Sequence, residues 1–240
     1  MLALLALASA VAWAALVARD MAGEPPSFGV LTEVLGDTAF GAVYSARLAL
    51  LAGLVVLTIF PSPRWRAPLL AAGAATASLA RVGHAAMQTR ALGFAHRLNG
   101  ALHLLCVAFW LGGLLPFLAC LRILARAPER REALIAMMRF SRRGHLAVPG
   151  LFLTGILNIA MTTQRLPWPL LSPYRVGWAA KVGVFAAMTG LALLNRYVFS
   201  PQAGRRAHAA RALAAGTLAE FALALVALAL VSGFATHDPA

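Results

Sequence analysis

Seven apolar stretches, each near the roughly 20 residues a helix needs to cross the hydrocarbon of a bilayer, run through almost the whole chain. They lie at 1–18, 40–60, 67–88, 97–121, 144–163, 176–197 and 212–235. A chain of 240 residues that is 61% hydrophobic and 12% charged has too little polar surface for a soluble domain. The stretches do not alternate polar with apolar, which argues against a β-barrel. The expected fold is all-α: a polytopic transmembrane helical bundle forming one domain over 1–240.

Charge sets the expected topology. The 21 basic residues against 8 acidic give a net charge of +13, but they sit in short connections rather than along one soluble face. That distribution excludes nucleic-acid binding as the natural reading and fits loops held on the cytoplasmic side, which are rich in Arg and Lys. Arg64 and Arg66 follow the second stretch, Arg122 to Arg143 the fourth, and Arg196, Arg205, Arg206 and Arg211 the sixth. The alternate connections carry only Arg19, then Arg90 and Arg97, then Arg165 and Arg175. This places the N-terminus inside and the C-terminus outside. The first stretch has no basic segment ahead of it and reads as a span rather than a cleaved leader. The connection at 20–40 reads as an outer loop or short interfacial helix, 123–143 as a basic amphipathic helix on the inner surface, and 162–178 as a proline-rich outer loop.

Three histidines then stand out. His84, His96 and His103 gather at the outer ends of the third and fourth stretches, with Met87 and Cys106 beside them. Ionisable groups in membrane spans are costly and mark function. A set of imidazole, thioether and thiol suits a soft or borderline metal such as copper. His96, His103 and Trp110 recur every seven residues and share one helical face. His96 and His103 are about 10.5 Å apart along the axis, too far for one metal bound at about 2 Å to each, so stacked or sequential sites are expected. Cys106 and Cys120 are about 21 Å apart on one helix and cannot pair as a disulfide. Gly112-Gly113 would let another helix approach closely.

Other polar residues fall along a possible pathway. Arg47 and Arg81 are expected to snorkel to the outer surface, and Lys181 lies one turn inside its span. Glu220 lies two turns inside the seventh and is expected to pair with Arg196, with a proton-coupling role open. His145 is either an inner exit ligand or an interface histidine. No hydrolase elbow, phosphate-binding loop, H-E-x-x-H or C-x-x-C is present, so the chain is expected not to be an enzyme. A b-type haem carrier, with axial histidines from two helices, and a scaffold whose histidines only pack remain alternatives.

Five segments in register resemble the CopD family of copper-resistance inner-membrane proteins. They are Gly83-His84-Ala85, the H-x6-H ending in ALHLLCVAFWLGGLLP, MRFSRRGHLAV, TGILN, and SPYRVGWAAKVGVFAAMTGLALLNRYVFSP. The resemblance runs from about residue 40 to the end. It implies a multi-helix protein of the bacterial inner membrane that handles copper in uptake or tolerance, working with a periplasmic CopC-like copper-binding protein. It also implies roles for His84, His96, His103 and Trp110, for Arg139, Phe140, Ser141 and His145, and for Asn158, Lys181, Asn195 and Arg196. Relatives usually carry a further helix ahead of the first span here. They also often have a histidine or acidic residue where this chain has Asn99-Gly100.

Overall fold

The computed structural model describes residues 1–23, 25, 27–60, 66–82, 90–124, 130–163, 173–203 and 207–234. Those residues form helices and no strands: α1 (Leu2–Ala22), α2 (Phe28–Asp37), α3 (Ala39–Ile59), α4 (Arg66–Ser78), α5 (Arg90–Ile123), α6 (Arg130–Thr163), α7 (Pro173–Leu194), α8 (Ser200–Ala203) and α9 (Ala207–Phe234). A 3-10 turn, Leu79–Arg81, follows α4, and a π-helical turn, Asn195–Phe199, joins α7 to α8. Six helices are long and apolar enough to cross a membrane among the described residues. Large apolar side chains such as Leu98, Leu102, Leu153 and Leu225 are exposed on them, as faces turned to lipid require.

The chain divides into two compact units, Met1–Leu105 and Cys106–Ala240. In the first, α1 presents Ala10, Ala14 and Ala18, all buried and spaced by four. Such a ladder of small residues lets neighbouring backbones close in where lipid removes any hydrophobic drive. Tyr44 of α3 fills the space, donating its hydroxyl to the Ala10 carbonyl at 3.0 Å and packing against Trp13 and Phe40. The segment expected as an outer loop or interfacial helix is helical as α2. Ser27 caps its start by accepting from the Val30 amide, and Thr38 caps α3 by accepting from Gly41.

The α-helix of the third stretch gives way after Ser78 to the 3-10 turn Leu79–Arg81. Arg47, rather than snorkelling outward, crosses from α3 to donate to the Ala75 carbonyl and to Ser78 Oγ. Ser78 Oγ also donates to the Ala75 carbonyl, at 2.8 Å. With that carbonyl taken twice, the helix tightens into the 3-10 turn and Val82 is extended.

In the second unit, the basic segment at 130–143 is not a separate surface helix but the first part of the 34-residue α6. Ala133, Met137, Ala147 and Thr154 are buried along one continuous stripe, while Arg139, Arg142 and Arg143 point outward. One helix therefore serves both segments. Gly113 of α5 meets the Phe140 ring of α6, where a Cβ would collide, whereas Gly112 faces open space. The core around Trp110, Leu114, Met188 and Ala224 joins α5, α7 and α9.

Candidate functional site

The histidine stripe lies on α5, which is continuous through Arg90–Ile123. In the first unit His96 and Asn99 are 5% and 7% exposed, His103 is half-buried, and none of the three is without a partner. Phe94, Leu98 and Leu102, on the other side of the helix, are exposed. The seven-residue spacing thus does what it implies: the nitrogen-bearing side chains turn inward and the leucines outward. Asn99, which sequence reasoning counted only as a departure from relatives, belongs to the same inward stripe. Cys106 falls in the second unit; it is half-buried, and its Sγ would lie 3.2 Å from a Cβ placed on Gly150 of α6. His84 and Met87 lie outside the described residues. Among the described residues no group of three or more His, Cys, Asp or Glu side chains comes together.

A second polar centre lies within the Cys106–Ala240 unit. Glu220 of α9 is 3% exposed. Its carboxylate accepts from Asn195 Nδ2 at 2.6 Å and from Trp110 Nε1 at 3.4 Å. It does not pair with Arg196 as its depth suggested; Arg196 donates to Ser141 Oγ of α6 at 2.5 Å. The reason is helical phase: Asn195 opens the π-helical turn and takes the inward position, leaving Arg196 to reach α6. Gly216 completes the arrangement, since a Cβ there would collide with the Asn195 amide. Gly216 and Glu220 share a helix face at i and i+4, so α9 pairs a gap with an acceptor for one side chain of its neighbour.

This centre borders a cavity of about 330 Å³ lined by Trp110, Ser141, His145, Asn195, Arg196 and Glu220 among apolar residues. His145 is exposed, with Nδ1 2.9 Å from the Ser141 carbonyl and Nε2 2.9 Å from the Tyr197 hydroxyl. A carbonyl only accepts, so in the neutral ring Nδ1 carries the proton and Tyr197 donates to Nε2. Tyr197 and Gly216 were not legible as site residues; the glycine four residues before an intramembrane carboxylate was the available signal. Asn158 and Lys181 lie elsewhere in this unit, outside the cavity lining.

The two units also match family profiles: "Copper resistance protein D-like, N-terminal domain" over residues 1–94 and "Copper resistance protein D" over residues 134–234. The chain belongs to the CopD family. The match starts at residue 1, earlier than the motifs alone suggested. Among its relatives, Inner membrane protein YebZ of Escherichia coli (strain K12) is 36% identical over 171 residues, covering 69% of this chain and 57% of that protein. Copper resistance protein D of Pseudomonas syringae pv. tomato is 29% identical over 224 residues, 86% of this chain and 70% of that one. Copper transport protein CutJ of Bacillus subtilis (strain 168) is 27% identical over 195 residues, 77% and 35% respectively. The match thus spans little more than half the length of YebZ and about a third of CutJ. No solved structure matches significantly. With its long apolar helices, this CopD-family chain is a multi-pass inner-membrane protein.

Proposed function

We propose that the chain is a copper-homeostasis protein that receives copper at the outer side of the membrane and moves it inward. His96 and His103 are the proposed ligands on α5, joined by His84, Met87 and Cys106. Copper is the cargo, delivered by a periplasmic CopC-like protein, and the N-terminus lies inside. The observation that carries the reading is the inward turn of His96, Asn99 and His103 on a membrane-crossing helix whose other face is leucine, in a chain of the CopD family. Two relatives bear names of copper resistance and copper transport. Neutral imidazole suits Cu(II), and with sulfur donors Cu(I). The axial spacing of about 10.5 Å between the two histidines makes them successive stations rather than joint ligands.

The test is copper uptake into sealed vesicles holding the full chain. The His96→Ala/His103→Ala double variant is expected to lose most of the uptake above empty vesicles. Uptake equal to the unaltered chain would refute the assignment. A haem carrier is separated by colour, because it would purify red.

A further inference from the structure

The carboxyl of Glu220 has a role that copper ligation does not account for. It is 3% exposed within a span, and its two hydrogen-bond partners, Asn195 Nδ2 and Trp110 Nε1, are both neutral. An ionised carboxylate at such depth is costly without a compensating cation. Among the described residues, the other ionisable groups lining the same cavity are committed elsewhere: Arg196 to Ser141, and His145 to the Ser141 carbonyl and Tyr197. Asn195 Oδ1 is buried and has no hydrogen-bond donor among the described residues. That orphan oxygen is informative. With Glu220 ionised, the amide offers Nδ2–H to the carboxylate and leaves Oδ1 unserved. With Glu220 protonated and the amide turned over, the carboxyl O–H donates to Oδ1. The same pair of side chains thus has a hydrogen-bonded arrangement for each protonation state, beside a cavity roomy enough for water. The π-helical turn that begins at Asn195 is a local irregularity of the kind often found at functional sites.

From this geometry we infer that Glu220 is a proton-exchange site, taking a proton from water in the cavity and returning it as copper crosses the membrane. In the release step the Glu220 O–H bond breaks, the proton passes to water, and the electron pair stays on the carboxylate now held by Asn195 Nδ2 and Trp110. The inference deepens the transport reading and rests on it only for the coupling to copper.

The proton site is tested on the unaltered full chain in phospholipid vesicles without copper, by labelling with a hydrophobic carbodiimide, which reacts with protonated carboxyls, and mass spectrometry. Label at Glu220 is expected to fall about tenfold per pH unit above its midpoint. No label at any pH, or label independent of pH, would overturn the proposal. The coupling is tested with a pH dye inside the vesicles as copper salt is added outside. The unaltered chain is expected to show a luminal pH change, Glu220→Gln to lose it while binding as much copper per chain, and Glu220→Asp to keep it. Copper uptake with no pH change, or a full pH change in Glu220→Gln, would overturn the coupling. An unaltered chain that takes up no copper counts against the transport reading, and the label then decides the proton site by itself.

Discussion

Replacing Gly216 with alanine should disable the Asn195–Glu220 contact without touching either residue. A Cβ at 216 would meet Asn195 Nδ2 at 2.8 Å and Cγ at 2.9 Å, with Oδ1 closer still. Asn195 cannot simply swing away, because Nδ2 is held 2.6 Å from the Glu220 carboxylate. Overpacking of this kind costs about 1–3 kcal/mol, and losing a hydrogen bond to a charged acceptor a further ~1.5–3 kcal/mol. Better helix propensity returns at most ~1 kcal/mol. A net loss of about 2–4 kcal/mol corresponds to a fall in Tm of roughly 5–15 °C for a chain of this size. The assay is thermal unfolding of purified protein in detergent. Asn195→Ala removes the obstructing side chain, so the Gly216→Ala/Asn195→Ala double variant should lose less than the two singles added together, the mark of residues in contact. A Gly216→Ala chain as stable as the original, or strictly additive losses, would refute the packing described for α9.

Four further outcomes follow from the same contacts. Gly113→Ala, blocked by the Phe140 ring, should lose about 1–3 kcal/mol, while neighbouring Gly112→Ala, in open space, should be neutral or gain up to ~1 kcal/mol; thermal unfolding compares them directly. Tyr44→Phe removes the bond to the Ala10 carbonyl and should cost about 0.5–1.5 kcal/mol, read as a fall in Tm. Arg47→Met frees the Ala75 carbonyl, so amide hydrogen exchange in the 3-10 turn Leu79–Arg81 should change more than exchange in α1; equal exchange would contradict its role at the end of α4. Cys120→Ala should leave bound copper unchanged, whereas His103→Ala should reduce it.

The spans were legible because bilayer thickness imposes a length that hydropathy reports almost directly. The inward stripe of α5 was legible too, since His96, His103 and Trp110 keep a seven-residue spacing. What hydropathy could not show was competition for particular groups. The early end of α4 depends on Arg47 taking the Ala75 carbonyl from a different helix, and no local pattern announces that. The continuity of α6 was hidden because arginines made its first part look like a surface helix, although Ala133 and Met137 already carried the buried stripe. Glu220 was recognisable as an intramembrane carboxylate. Its partner was not, because an intramembrane carboxylate suggests a counter-charge such as Arg196, whereas Asn195, seven residues after buried Met188, holds the inward face of this segment.

The central claim is that inward-turned imidazoles of α5 bind copper. Elemental analysis of the purified full chain, loaded with copper and freed of excess, tests it most directly when His103→Ala and Cys120→Ala are prepared side by side. The account predicts fewer copper ions per chain in His103→Ala and an unchanged number in Cys120→Ala; the same number in both would contradict it.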